Sequence, residues 1–208
     1  MAGILSLFTP LLLHMVILDV CAGCFQKYLD ATACTALASV IVIPIAGYWY
    51  WKDRKKQENQ SLRAGRLPGI GHKVLYGAGC LIAGGVLNLL LSQTMGLLHI
   101  TQKFSNQVQE TLLASELLIK VIGLGIFVPA AEELIFRGLI YNRMKQLFPA
   151  KLACFFSALL FAVYHGNPIQ MIFAFPMALA LCVIYEYGGC LIFPILFHAG
   201  SNLLAVFW

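Results

Sequence analysis

Charged side chains are scarce in this sequence. Only 11% of its 208 residues are Asp, Glu, Lys or Arg, whereas 60% are apolar. Soluble domains carry about 25% charged residues, so this chain lacks the polar surface that a water-facing globule needs. A hydrocarbon core about 30 Å thick takes about 20 apolar residues per helical crossing. The composition therefore predicts an all-α, multi-pass transmembrane helical bundle in the cell membrane.

The cysteines do not indicate a disulfide framework or a zinc site. The seven Cys residues are odd in number and scattered through apolar segments, which argues against a disulfide scaffold and against zinc-ligand spacing. The run CAGC at 21–24 is loosely similar to a lipoprotein cleavage box or a redox pair, but ordinary helix-end cysteines explain it more simply. Because no basic residues precede the first apolar run, we expect a retained first helix and no cleaved signal peptide.

Seven apolar segments predict about seven helices in one compact bundle. They fall at 3–24, 32–51, 74–98, 113–131, 151–165, 168–185 and 190–207. We divide the chain into N-terminal transmembrane helices, 1–112, and a C-terminal helical core, 113–208, which carries the polar residues described below.

Basic residues predict the orientation of these helices. The segment Lys52 to Arg66 carries six basic residues against two acids, and such loops stay on the cytoplasmic side. Counting crossings from this loop, 52–66, puts the N-terminus in the cytoplasm. It also puts 24–31 and 99–112 outside and Arg137 to Lys151 inside. The net charge of +5 follows from this bias, so no nucleic-acid partner is expected.

Six polar residues lie where lipid is expected. An ionisable group inside a transmembrane segment is costly, so by default it faces the bundle interior and marks function. The six residues are Glu132, Glu133, Arg137, His165, His198 and Asn202. Other polar residues in apolar segments are interpreted as structural or interfacial, namely His14, Asp19, Glu116 and Lys120.

Glu132 and Glu133 are adjacent, so they should differ by about 100° around a helix and should not reach the same partner. Glu133 and Arg137 have the i,i+4 spacing of an ion pair. Glu132 then lies on a neighbouring face in apolar surroundings, where it is suited to act as a general base.

The remaining polar residues can reach Glu132 if neighbouring helices pack as hairpins. A turn at 148–150 would leave Glu132 and His165 each about 22 Å along antiparallel helices, at matching depth. His198 and Asn202 share one face of a later helix. Chemically, Glu132 and His165 could take a proton from water, while His198 and Asn202 donate to the oxyanion that forms on an amide. Glu133 with Arg137 would hold the carboxylates in place.

Three short runs carry a family resemblance. EELIFR at 132–137, FAVYH at 161–165 and HAGSN at 198–202, in this order, resemble the EExxxR, FxxxH and HxxxN signatures of the CPBP family. That family includes the CAAX prenyl proteases and Abi-type bacteriocin-processing enzymes. The resemblance covers about 113–207.

The resemblance implies an all-helical bundle with a cavity open to membrane and cytosol. It also implies a glutamate intramembrane protease that hydrolyses a membrane-associated peptide, in some members a prenylated one near its C-terminus, by glutamate-activated water. The expected partners are a peptide or lipidated peptide substrate and the lipid bilayer. No cofactor is expected, although two His and one Glu could still bind a metal.

Two alternatives stay open at the level of sequence. A CPBP-like protein could bind a peptide or partner without cleaving it, for example in bacteriocin self-immunity. A small transporter or channel would also bury Glu, His and Arg, but it would predict inverted repeats, and none stands out in the sequence.

Overall fold

The computed structural model describes residues 5–57, 67–99 and 107–208. Within these ranges the chain forms helices and no strands, which confirms the predicted all-α class. The described residues contain eight helices, one more than the roughly seven that the sequence predicted, because a seven-residue helix precedes the C-terminal core. They are α1 Leu5–Phe25, α2 Ala31–Gln57, α3 Ile70–Leu97, α4 Gln107–Leu113, α5 at 117–144, α6 Ala150–Tyr164, α7 Pro168–Gly188 and α8 Ile192–Phe207.

The outer surface of the bundle is apolar. Helices α1, α2, α3 and α7 are long and apolar enough to cross a membrane, and α6 and α8 are shorter apolar helices. Val16, Leu75 and Ile82 are 59%, 74% and 68% exposed. Apolar patches of this kind are rare on monomeric soluble proteins. The exposed surface therefore fits a protein that is solvated by lipid.

Helix α5 is longer than predicted and lies in the middle of the bundle. The sequence suggested a segment ending at 131, whereas the helix continues to 144. The predicted segment ended before Glu132 because hydropathy scores the polar side chains that follow as if they faced lipid. In the structure these side chains point into the protein, so the helix continues. Residues 134–141 are all buried, and they pack against α1, α2, α6 and α7.

Two π-helical segments interrupt α5. They span Gly123–Phe127 and Leu134–Tyr141, on either side of the α-helical stretch Val128–Glu133. Such turns are rare and occur frequently at functional sites. The two adjacent glutamates therefore lie between two local departures from regular helix geometry.

The predicted basic loop begins inside a helix. Helix α2 continues through Gln57, because Lys and Arg are good helix formers and stabilise the negative end of the helix dipole. The rest of the predicted loop, 58–66, lies outside the described residues. The segment predicted as an outer loop, 99–112, contains the start of α4, and 100–106 of it is not described. The orientation in the membrane stays a prediction.

Helices α3 and α8 approach each other at two glycines. A Cβ atom on Gly84 would lie 1.8 Å from the Phe197 carbonyl oxygen, and one on Gly200 would lie 1.9 Å from the Leu81 carbonyl oxygen. Next to this crossing, the Asn88 amide donates to the Ser201 carbonyl oxygen at 2.9 Å. Close backbone contact and interhelical hydrogen bonds are typical of membrane helix packing. Together they fix α8, the helix that carries His198 and Asn202.

We expect Gly200→Ala to lower the thermal unfolding midpoint of the detergent-purified protein. The added methyl group overlaps backbone rather than a movable side chain, and overpacking of this kind costs about 1–3 kcal/mol or more. The matched control is Gly79→Ala on α3, where a Cβ meets nothing within 4 Å and the gain in helix propensity is about 1 kcal/mol. Equal thermal unfolding midpoints for the two variants would contradict the close contact between α3 and α8 at Gly200.

Candidate active site

The Glu133 carboxylate is the centre of a buried polar cluster. Glu133 and Arg137 are fully buried, and Arg137 Nη1 donates to Glu133 Oε1 at 2.9 Å. The same oxygen lies 2.8 Å from His198 Nδ1. Because a carboxylate accepts hydrogen bonds, His198 carries a proton on Nδ1. Glu133 thus selects the tautomer of His198 and leaves Nε2 of the neutral ring with its lone pair.

Glu132 faces the other nitrogen of that ring. Its Oε2 lies 3.7 Å from His198 Nε2, which is within ion-pair distance but too long for a hydrogen bond. Glu132 is 7% exposed, whereas Glu133 is 0% exposed. Glu132 is therefore the carboxylate that a small molecule such as water can reach.

The expectation that adjacent carboxylates cannot reach the same partner is wrong. Both glutamates contact His198, one at each ring nitrogen. The two nitrogens flank Cε1 of the imidazole ring. A ring that lies between two neighbouring faces of α5 can therefore have one nitrogen near the carboxylate on each face. An i,i+1 pair can therefore share one histidine, although it could not share a single-atom partner.

Arg137 attaches α5 to two further helices. Its Nη2 donates to the Ala178 carbonyl oxygen on α7 at 3.3 Å, and its guanidinium carbon lies 4.5 Å from the ring centroid of Phe161 on α6. The predicted Glu133–Arg137 pair is therefore present, and it is completely removed from solvent. Such a pair requires several contacts because each buried ion loses its hydration.

Phe161 also brings His165 and His198 together. Its ring centroid lies 4.8 Å from that of His165 and 5.8 Å from that of His198. The His165 Nδ1 is 2.8 Å from the Phe161 carbonyl oxygen, to which it donates, so Nε2 of the neutral ring is left as an acceptor. In the part of the chain that the structure describes, no hydrogen bond or ion pair joins His165 to Glu132. His165 and His198 thus lie around the same aromatic ring.

Asn202 lies on α8 one turn after His198. Its amide nitrogen donates to the Leu124 carbonyl oxygen at 2.9 Å, inside the first π-helical segment of α5. A carboxamide nitrogen has two hydrogens, so one N–H remains for another acceptor. Asn202 thus approaches α5 about two turns before the glutamates.

One further member of this region, His14, was interpreted from the sequence as structural or interfacial. His14 on α1 is 1% exposed, and its Nδ1 lies 3.0 Å from the Tyr164 hydroxyl oxygen. Tyr164 in turn directly precedes His165. The available signal was the same as for His198, namely an ionisable residue in an apolar segment, but His14 has no recognisable companion at helical spacing.

The structure offers no ligand set for the metal that the sequence left open: within 5–57, 67–99 and 107–208, no group of three or more His, Cys, Asp or Glu could hold one. Two cavities lie away from the candidate residues. One, of about 270 Å³, lies between the ends of α1, α2 and α5, and the other, of about 480 Å³, lies between α3 and α7. Neither is the membrane-accessible cavity at the site that the resemblance implies.

Part of the chain is similar to a known protein family. Residues 114–204 match a protein-family model described as type II CAAX prenyl endopeptidase Rce1-like. The matched region runs from just before α5 into α8 and contains all six candidate residues. No curated protein and no solved structure matches the chain.

Proposed function

We propose that this chain is an intramembrane endopeptidase, a proposal supported by the match of its residues 114–204 to the Rce1-like family of type II CAAX prenyl endopeptidases. One observation supports a catalytic site in particular. The imidazole of His198 is held at Nδ1 by Glu133, which is paired with Arg137. Its Nε2 faces Glu132, the more accessible carboxylate. A purely structural ion pair does not require a second carboxylate beside the same ring.

Glu132 and His165 are proposed to activate water. The Glu132 carboxylate makes no hydrogen bond in the described structure, so its oxygens can accept one from water. His165 has its Nδ1 engaged with the Phe161 carbonyl, which leaves Nε2 to orient the same water from the other side. General-base catalysis of this kind contributes typically 10²–10⁴-fold.

His198 and Asn202 are proposed to stabilise the oxyanion. When His198 is protonated on both nitrogens, its charge and that of Arg137 balance the two carboxylates, and an apolar interior favours such neutrality. The Nε2–H and the second N–H of Asn202 then donate to the carbonyl oxygen of the substrate. Removal of one such donor in other enzymes costs about 10²–10³-fold in rate.

The proposed hydrolysis needs water and no other reagent. The water oxygen attacks the amide carbon, its proton passes to Glu132, and the C=O oxygen becomes the oxyanion. The same proton is then transferred to the leaving nitrogen as the C–N bond breaks. The products are a carboxylic acid and an amine, and the carboxylate of Glu132 is regenerated.

The proposed substrate is a membrane-associated peptide cleaved near its C-terminus, with a prenylated cysteine as the first candidate. The helices that carry the site have apolar outer surfaces, which suits a substrate that is dissolved in the bilayer. The family name points to the same substrate class.

The experiment uses the full-length protein in lipid vesicles with two internally quenched peptides that differ only in farnesylation of one cysteine. We expect cleavage of the farnesylated peptide, with the broken bond located by mass spectrometry, and no loss of rate when a chelator is added. Equal cleavage of both peptides would refute the prenyl preference but keep the peptidase. A folded protein that binds the lipidated peptide without cleaving it would instead favour the non-proteolytic alternative.

A further inference from the structure

The first helix contributes a histidine next to the candidate site, from outside the region that matches the family. The ring of His14 lies 5.8 Å from that of Tyr164, in addition to their contact at 3.0 Å. Its Nε2 is buried and has no hydrogen-bond partner among the described residues. A buried ionisable side chain in a membrane helix is costly and therefore by default functional.

Tyr164 occupies the place in α6 that determines where His165 lies. Tyr164 is the last residue of α6, and His165 follows it directly. The next residue, Gly166, has a φ of +66°, so the chain turns away from the helix axis at once. Within α6, the carbonyl oxygens of Ala162 and Val163 accept from the backbone N–H groups of His165 and Gly166. These local bonds close the helix end, whereas its position relative to α1 and α5 depends on side-chain contacts with those helices.

The Tyr164 side chain contacts His165 at the end of α6 and also residues on α5 and α1. Its ring lies 5.9 Å from the His165 ring, nearly perpendicular to it, and 5.6 Å from the Phe136 ring on α5. Its hydroxyl group reaches α1 through His14. The pair therefore lies beside His165, one of the two residues proposed to act on the water.

We propose that His14 is a positioning residue of the active site. Through its hydrogen bond to Tyr164 it fixes the end of α6 and thereby the imidazole of His165. The kinetic consequence of this arrangement rests on the proposed peptidase function, whereas the positioning is a property of the fold. The N-terminal helices then complete the site, in addition to surrounding it.

The kinetic test compares His14→Leu, Tyr164→Phe and the double variant in vesicles, with the peptide that the wild type cleaves. Each is expected to lower kcat about tenfold to a hundredfold, as small displacements of catalytic groups do, with KM within about twofold of the wild-type value. The double variant should be no slower than the slower single variant, because both remove the same contact. His14→Gln, which can still hydrogen-bond to Tyr164, should recover most of kcat.

Two exposed residues supply the controls. His72→Leu on α3 and Tyr28→Phe, where Tyr28 is 83% exposed, make the same chemical changes away from the site and should leave kcat unchanged. Unchanged kcat in His14→Leu would overturn the proposal. So would a multiplicative loss in the double variant, or a loss in His14→Gln as large as in His14→Leu.

A second measurement does not depend on catalysis. Backbone amide hydrogen exchange at 164–167 should be at least about tenfold faster in His14→Leu than in wild type, because local opening becomes easier when a terminal contact is lost. Exchange in α3 should not change. Faster exchange in a protein that cleaves no peptide would support the positioning of α6 and refute the peptidase, whereas unchanged exchange in an active protein would refute the positioning alone.

Discussion

Glu132→Gln is expected to abolish peptide cleavage while leaving the protein as stable as the wild type. Gln keeps the size of the side chain but cannot take a proton from water, and loss of a general base costs about 10²–10⁴-fold. Stability should change little, because the one polar contact of Glu132 among the described residues is the 3.7 Å approach to His198. Cleavage rate and thermal unfolding midpoint, measured on the same vesicle and detergent samples, check both parts.

Glu133→Gln gives the contrast that makes this prediction specific. Glu133 Oε1 accepts from Arg137 and from His198, so this variant should lose stability as well as activity. A second control is Glu186→Gln, which removes a partly exposed carboxylate that pairs with Lys145 and should leave cleavage unchanged. If Glu132→Gln cleaved at the wild-type rate, Glu132 would not be the base.

The helices could be predicted from the sequence because a chain in lipid has few alternative backbone structures. A chain in a bilayer must satisfy its backbone hydrogen bonds internally, so long apolar runs become helices. The prediction failed for α5, which continues to 144 rather than ending near 131. Hydropathy does not distinguish a charged side chain at the membrane surface from one buried against Phe161 and α7, as Arg137 is.

The members of the candidate site could be selected from the sequence, but their connections could not. Helical spacing correctly predicted the contact between Glu133 and Arg137. It could not predict that His198 lies between both glutamates, because that depends on where α8 packs against α5. The glycine crossing of α3 and α8 sets that position, and it involves residues more than a hundred positions apart.

The pair of His14 and Tyr164 shows the same limit more clearly. The two residues lie on α1 and α6 and are 150 positions apart in the chain. Neither has a local signal beyond being polar in an apolar segment. Long-range contacts of single residues leave no periodic pattern, so only the packed structure reveals them.

Arg137→Met is expected to cause the largest loss of stability and to abolish cleavage as well. It removes the hydrogen bonds to Glu133 and to the Ala178 carbonyl oxygen and leaves Glu133 buried without its cation. Breaking a buried pair from one side costs about 3–5 kcal/mol. The midpoint of unfolding by denaturant in detergent measures this loss. The control is Lys145→Met, which breaks a partly exposed pair with Glu186 and should cost no more than about 1 kcal/mol.

The double variant Glu133→Gln/Arg137→Met separates stability from function. With both charges removed, no uncompensated ion stays buried, and a buried pair replaced by neutral groups is often no less stable than the original. We therefore expect most of the stability lost in Arg137→Met to return. Cleavage should not return, because His198 would lack the anionic acceptor at Nδ1 that holds its ring toward Glu132. Recovery of both would mean that the Glu133–Arg137 pair only joins helices, and that the catalytic arrangement does not depend on it.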